Sequence, residues 1–200
     1  MSSLRHTAQP GADPRLDGYL DAARACILDV GWRRTTLTEV ARRAGVSRMT
    51  IYRAWPDMGS LLGDLMTREW VGIAAATQVA AADTTTPDGI AAAALATVRA
   101  LRDNELFVRI VELDPDLMLP YLLDRRGRSQ EALVEILAAE IASGQASGAI
   151  RTGDPVLMAR SLTLAGHGFV FSAMTMTDDR IRLDDLDAEY ARGVARALEP

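Results

Sequence analysis

The chain has no lysine: all 22 of its basic residues are arginine, which we read as genome composition, not mechanism. Cysteine is nearly absent. Cys26 stands alone, so no disulfide can form within one chain, which fits a reducing cytoplasm. Its place on an apolar helix face beside Ile27 makes it a core residue, not a nucleophile. There are two histidines, His6 in a polar N-terminal stretch and His167. No Ser/His/Asp arrangement, metal-ligand cluster or glycine-rich phosphate cradle accompanies them, so no catalytic residue, metal or cofactor is expected. No uncharged apolar run reaches the ~20 residues of a membrane span. The first dozen residues are polar and rich in Ser, Pro and Gly, unlike a signal peptide. Strand-like alternation, internal repeats and low-complexity tracts are also missing.

What is present is helical periodicity. Residues 1–13 read as a flexible tail. A first helix is expected over 15–30, with Leu16, Leu20, Ala23, Ile27 and Val30 on one face and Gly31 ending it. Thr36 and Glu39 form a capping box that opens a short helix over 37–44. Gly45-Val46-Ser47 makes a tight turn, and Ser47 caps a second short helix over 48–54. Asp57 can cap a longer helix over 58–80. Helices follow over 88–102 and 105–112, and a long one ends near Ser143. The Asp154-Pro155 pair starts one that reaches Met176, and the last covers 184–198. Nine helices are expected, in an all-α fold.

The net charge of −5 is unevenly spread. Residues 1–62 carry nine Arg against six acids, whereas 63–200 carry thirteen against twenty-one. Six Arg (33, 34, 42, 43, 48 and 53) face only Glu39 within 33–53. A basic module followed by an acidic one points to nucleic acid at one end only. Residues 37–55 satisfy each requirement of a helix-turn-helix. Ala41 is small where the helices cross, and Gly45 stands where the turn demands positive φ. Val40, Ala44, Val46, Ile51 and Ala54 are apolar enough to pack the pair on a third helix. Between them stand Arg, Thr, Ser and Tyr, which donate to phosphates and base edges.

Gly31, Thr35-Thr36-Leu37, Val40-Ala41, Ala44-Gly45-Val46-Ser47, Thr50-Ile51-Tyr52 and Trp55 together resemble the tetracycline-repressor (TetR) family of bacterial regulators over about residues 15–63. The run Gly148–Pro155 is also similar to a segment that precedes a late helix in many members. The resemblance implies a three-helix DNA-binding domain over 14–57 and a helical ligand-binding and dimerisation domain over 58–200. It implies that Thr36 binds a phosphate at the start of the motif's first helix. Ser47, Arg48, Met49, Thr50, Tyr52 and Arg53, flanked by Trp55, would form the recognition element. Tyr52 would hold a phosphate, and Arg48 and Arg53 would contact either guanine edges or phosphates. Met58 stands where many members carry a phosphate-binding lysine, so one contact is missing here.

For the larger domain the expected dimer interface uses Leu157, Leu164, Gly168 and Phe171, with Leu186, Tyr190 and Val194 from the last helix. The same apolar residues could instead fill a monomer core. A small-molecule pocket is expected among Met66, Trp70, Phe107, Ile110 and Val111, closed by Met118, Leu122, His167 and Phe171. His167 could orient a ligand, sit at the dimer seam or be hydrogen-bonded in the core. The partners implied are an operator in double-stranded DNA, a second copy of the chain and a hydrophobic or amphipathic effector. A regulator without a ligand, an enzyme and a helical scaffold are the competing readings.

Overall fold

The computed structural model describes residues 14–81 and 83–200; the tail expected over 1–13 lies outside them. Among the described residues the chain is helical throughout, without a strand. The N-terminal helices are α1 (Pro14–Val30), α2 (Leu37–Arg43), α3 (Arg48–Ala54) and α4 (Met58–Ala80). They are followed by α5 (Pro87–Arg102), α6 (Glu105–Leu113), α7 (Leu119–Leu123), α8 (Arg128–Ser147), α9 (Pro155–Phe171) and α10 (Leu183–Leu198). Short 3-10 turns occupy Pro115–Leu117 and Ala173–Met176. No helix among the described residues is long and apolar enough to cross a membrane.

The helix count exceeds expectation by one. Gly127 separates a short α7 from α8, and α8 runs to Ser147 because Gly148, at φ +77°, is what ends it. The helix expected to reach Met176 stops at Phe171 and tightens into a 3-10 turn. Other starts lie where the capping residues place them. Asp154 accepts from the Val156 and Leu157 N–H groups ahead of Pro155, and Thr86 accepts from Gly89 N–H ahead of Pro87.

The chain forms two compact units, one ending at Arg68 and the other starting at Glu69. The division falls inside α4 and not at 57/58. The first turns of α4 belong to the N-terminal unit: Leu61, Leu62 and Leu65 are buried there. Arg68 returns to α1, its Nη1 donating to the Asp17 carbonyl at 2.9 Å and lying 2.9 Å from the Asp21 carboxylate.

In the C-terminal unit α5 packs chiefly on α10, and α8 on α9. Ile90, Val98, Ile141, Leu162, Val194 and Leu198 anchor its core. Gly144 is required by close approach. A Cβ there would lie 2.4 Å from the Thr85 carbonyl oxygen and 2.4 Å from Ile150 Cδ1. Gly144→Ala is therefore expected to destabilise the protein by about 1–3 kcal/mol in urea titration, since the carbonyl cannot swing away as a side chain would.

Candidate functional site

The N-terminal unit is built by local rules. Gly31, at φ +82°, closes α1, and the Thr35 hydroxyl donates back to the Gly31 carbonyl at 2.8 Å. Thr36 caps α2 by accepting from Glu39 N–H at 3.2 Å. The reciprocal half of the expected capping box is not used: the Glu39 carboxylate accepts from Arg42 Nε and Nη2 at 2.9 and 2.6 Å. That guanidinium holds the Glu39 carboxyl below its ordinary pKa. Gly45 takes φ +68°, and Val46 N–H donates to the Ala41 carbonyl at 3.0 Å, so the chain reverses sharply into α3. Ser47 caps α3 through Thr50 N–H at 3.2 Å. Val40, Ala41 and Ile51 are fully buried where α1, α2 and α3 meet, with Ala44, Val46 and Ala54 half-buried at the rim.

Burial of Ile51 fixes which way α3 faces. At about 100° per residue, Arg48, Tyr52, Met49 and Arg53 span an arc of about 140° that begins about 60° from Ile51. All four are exposed, Met49 at 69% and Tyr52 at 48%. Ser47 and Thr36 are exposed at the helix starts, and Thr50 is half-buried. The structure therefore brings together, on one outward face, two guanidiniums, a phenol and a thioether.

The basic island is smaller than its sequence suggests. Arg42 is paired with Glu39, and Arg43 Nη2 lies 2.6 Å from Asp29 on α1. Arg48 and Arg53 have no carboxylate partner among the described residues, so the uncompensated charge concentrates on the outward face of α3. Beside it, Asp57 caps α4 by accepting from Ser60 N–H at 2.7 Å, which holds its carboxyl below the usual range. Half-buried Met58 follows it where a cation could have offset that carboxylate.

Trp55 is the exception among the expected contact residues. It is 3% exposed, packs edge-on against Tyr19 with ring centroids 6.4 Å apart, and donates from Nε1 to Asp64 at 2.6 Å. Its indole is a core strut, not a contact for DNA. Trp55→Phe is expected to lower stability by about 1–3 kcal/mol through the lost charged hydrogen bond. DNA affinity of the folded variant should stay within about threefold of the parent; thermal melts and a gel-shift titration read the two effects separately.

The C-terminal unit holds a cavity of about 140 Å³. Trp70, Phe107, Met118, Leu122, His167 and Phe171 line it, as expected. Three expected residues do not. Met66 is buried in the N-terminal unit, and neither Ile110, which is 1% exposed, nor Val111 lines the wall. Residues not anticipated complete the lining, among them Gln130 and Leu137 on α8 and Glu140, whose carboxyl burial pushes up. Burial holds the His167 imidazole below its ordinary pKa of 6.5, so the ring is neutral at pH 7.

The expected dimer residues divide. Leu157 (66% exposed), Leu164 (72%) and Gly168 lie on one open stripe of α9. Tyr190 and Val194 are instead buried inside the unit, where α10 packs on α5, and Tyr190 also lines the cavity. Phe171 is a cavity wall, and Leu186 is half-buried.

Residues 20–65 match the family profile described as bacterial regulatory proteins, tetR family. An uncharacterized HTH-type transcriptional regulator of Mycobacterium bovis is 36% identical over 154 residues, 77% of this chain and 79% of the relative. Among solved structures, the fold is similar to that of QsdR, a repressor of R. erythropolis, with TM-score 0.70, 16% identity and coverage of 94% of this chain and 96% of that one. It is similar also to SmeT, the repressor of the Stenotrophomonas maltophilia multidrug efflux pump SmeDEF, with TM-score 0.62, 20% identity and coverage of 94% and 92%. SmeT has been solved in complex with triclosan.

Proposed function

This chain belongs to the tetR family of bacterial regulatory proteins, and we propose that it is a dimeric repressor released from its operator by a small molecule. It is a DNA-binding transcriptional regulator; repression, dimerisation and ligand release are the added steps. The observation that carries the ligand step is the cavity of the C-terminal unit, since a packed helical domain has no need of a lined void of this size; the open apolar stripe of α9 supports the dimer. A repressor of the same fold takes up triclosan, which supports a ligand role for the cavity.

Two copies joined along α9 would present two α3 helices to successive major grooves of a palindromic site, about 34–36 Å apart. Arg48 and Arg53 would read base edges or phosphates, with Thr36, Ser47, Thr50 and Tyr52 as hydrogen-bonding neighbours. A ligand that favours a conformer with mismatched spacing lowers operator affinity by its differential affinity for the two conformers. The helix α4 supplies Leu61 and Leu65 to one unit and Trp70 and Ala74 to the other, and so is the element on which a bound molecule would act. The protein would act in the cytoplasm, where its operator lies.

Sequencing the genomic fragments that the protein retains, at two salt concentrations, tests the DNA role. An inverted repeat bound with strong salt dependence is expected; retention without sequence preference would overturn it. The interface has its own test. Nothing lies within 4 Å of a Cβ built on Gly168, so Gly168→Leu leaves the protomer undisturbed. It should weaken dimerisation at least tenfold by sedimentation, and a dimer of full strength would remove α9 as the interface.

A further inference from the structure

One wall of the cavity is a chain of four rings. Trp70 meets Phe107 edge-on with centroids 6.1 Å apart, Phe107 meets Phe171 at 5.3 Å, and Phe171 meets His167 at 6.5 Å. The two end rings carry nitrogens. Trp70 Nε1 is buried and finds no acceptor among the described residues. Its accessible surface is nearly nil, so an occupant of the cavity does not reach that nitrogen, and the indole serves the wall as an apolar face.

The histidine at the other end is a donor on the cavity wall. The Gln130 side chain has a fixed orientation, because its Oε1 accepts from Gly127 N–H at 2.7 Å and its Nε2 donates to the Tyr121 carbonyl at 3.2 Å. It is therefore the amide nitrogen that stands 3.4 Å from His167 Nε2. An N–H facing Nε2 requires the lone pair there, which places the ring proton of the neutral imidazole on Nδ1. Nothing among the described residues accepts from that Nδ1–H.

The rest of the lining limits what such a donor can meet. Thr97 already donates to the Ala93 carbonyl and pairs with Thr77. Among the described residues Glu140 is the only lining residue with a formal charge, and no arginine reaches the wall. An anion would face that carboxylate with no cation on the described wall to offset it, and a plain hydrocarbon would leave the His167 N–H unpaired. A neutral oxygen acceptor on an apolar body satisfies both limits.

We infer that the occupant of this cavity is an uncharged, largely apolar molecule carrying a carbonyl oxygen, which accepts from His167 Nδ1–H while its body lies along the ring wall. The inference rests on the reading of the cavity as the effector site.

Four near-isosteric probes test it by calorimetry on the full chain: 4-phenylbutan-2-one, butylbenzene, 3-phenylpropanoate and protonated 4-phenylbutan-2-amine. The ketone should bind at least tenfold more tightly than each of the other three. His167→Phe should remove the tenfold advantage of the ketone over butylbenzene when both are measured on that variant. Butylbenzene equal to the ketone, or either ion tighter than it, would overturn the ligand class while leaving the cavity a binding site. If none of the four binds up to its solubility limit, the effector-site reading falls with it. The probe series on the unaltered protein decides the matter even where a variant fails to fold.

Discussion

Replacing both Arg48 and Arg53 with alanine is expected to reduce operator selectivity by about a hundredfold or more while leaving a folded protein. Each bidentate guanidinium contact to a guanine contributes about 1–3 kcal/mol of discrimination, and a dimer would present both arginines twice. Folding should be spared because both side chains are exposed and have no carboxylate partner among the described residues. Surface substitutions of this kind change stability by about 0.5 kcal/mol or less. The single variants separate the two roles left open for each arginine. Loss of a base contact relaxes selectivity at one operator position. Loss of a phosphate contact weakens binding to all sequences alike and reduces the salt slope by about one. Arg42→Ala is the internal control: it removes the same formal charge from a residue already held by Glu39, and should cost operator affinity less than about threefold. Selectivity unchanged in the double variant would remove α3 as the recognition helix.

How well each part could be read in advance follows from how local its causes are. The helix-turn-helix was legible because its determinants lie within a few residues of one another: Thr36 and Ser47 cap, Gly45 turns, and Val40 and Ile51 fill the seam. Trp55 is not legible in this way, because a tryptophan after a recognition helix looks the same in sequence whether it faces DNA or, as here, Tyr19 and Asp64. The basic island looks larger in sequence than in the fold for a similar reason. Arg42 at three residues from Glu39 could have been discounted on spacing alone, but the Arg43–Asp29 pair joins separate helices and leaves no such trace.

The C-terminal unit was harder still. The apolar stripe of α10 predicts that Tyr190 and Val194 are covered but not by what; they are covered by α5 of the same chain, not by a second copy. Aromatic residues gave away part of the cavity, yet Gln130 and Glu140 sit in a helix that reads as an ordinary amphipathic surface. The Arg99–Asp187–Arg102 cluster had no signal at all. Asp187 follows Asp184 and Asp185 in a run that looks like a solvated helix start, and only the packed structure shows it to be the one of the three that is buried.

That cluster carries the largest stability effect we expect. Asp187 is 1% exposed and accepts from Arg99 Nε at 2.7 Å and from Arg102 Nη2 at 2.6 and 2.8 Å, tying α10 to α5 across more than eighty residues of chain. Arg102 is itself nearly covered, and its Nη1 has no acceptor among the described residues. Asp187→Ala would leave that guanidinium charged and buried with its counterion gone. Breaking a buried pair from one side costs about 3–5 kcal/mol, which for a chain of this size lowers the melting temperature by on the order of 10 °C. The double variant Arg102→Met with Asp187→Leu should recover most of the loss, because the penalty comes from the stranded charge and not from the missing attraction.

The pH dependence has a definite sign. Burial would raise the Asp187 carboxyl, but Arg102 and Arg99 outweigh it and hold the group below its ordinary value of 3.8. The stabilisation is therefore fully present above that value and is lost as pH falls through the lower folded one. Urea titrations of parent and Asp187→Ala should differ most near neutrality and converge in strong acid; a gap that widens on acidification would contradict the assignment. The functional consequence follows from position. The helix that Asp187 clamps supplies Ile90, Ala93, Thr97 and Val98 to the cavity wall, and Tyr190 stands one turn further along α10. Loss of the clamp should therefore weaken binding of 4-phenylbutan-2-one at temperatures where the N-terminal unit, with its own core of Ile27, Val40 and Ile51, remains folded.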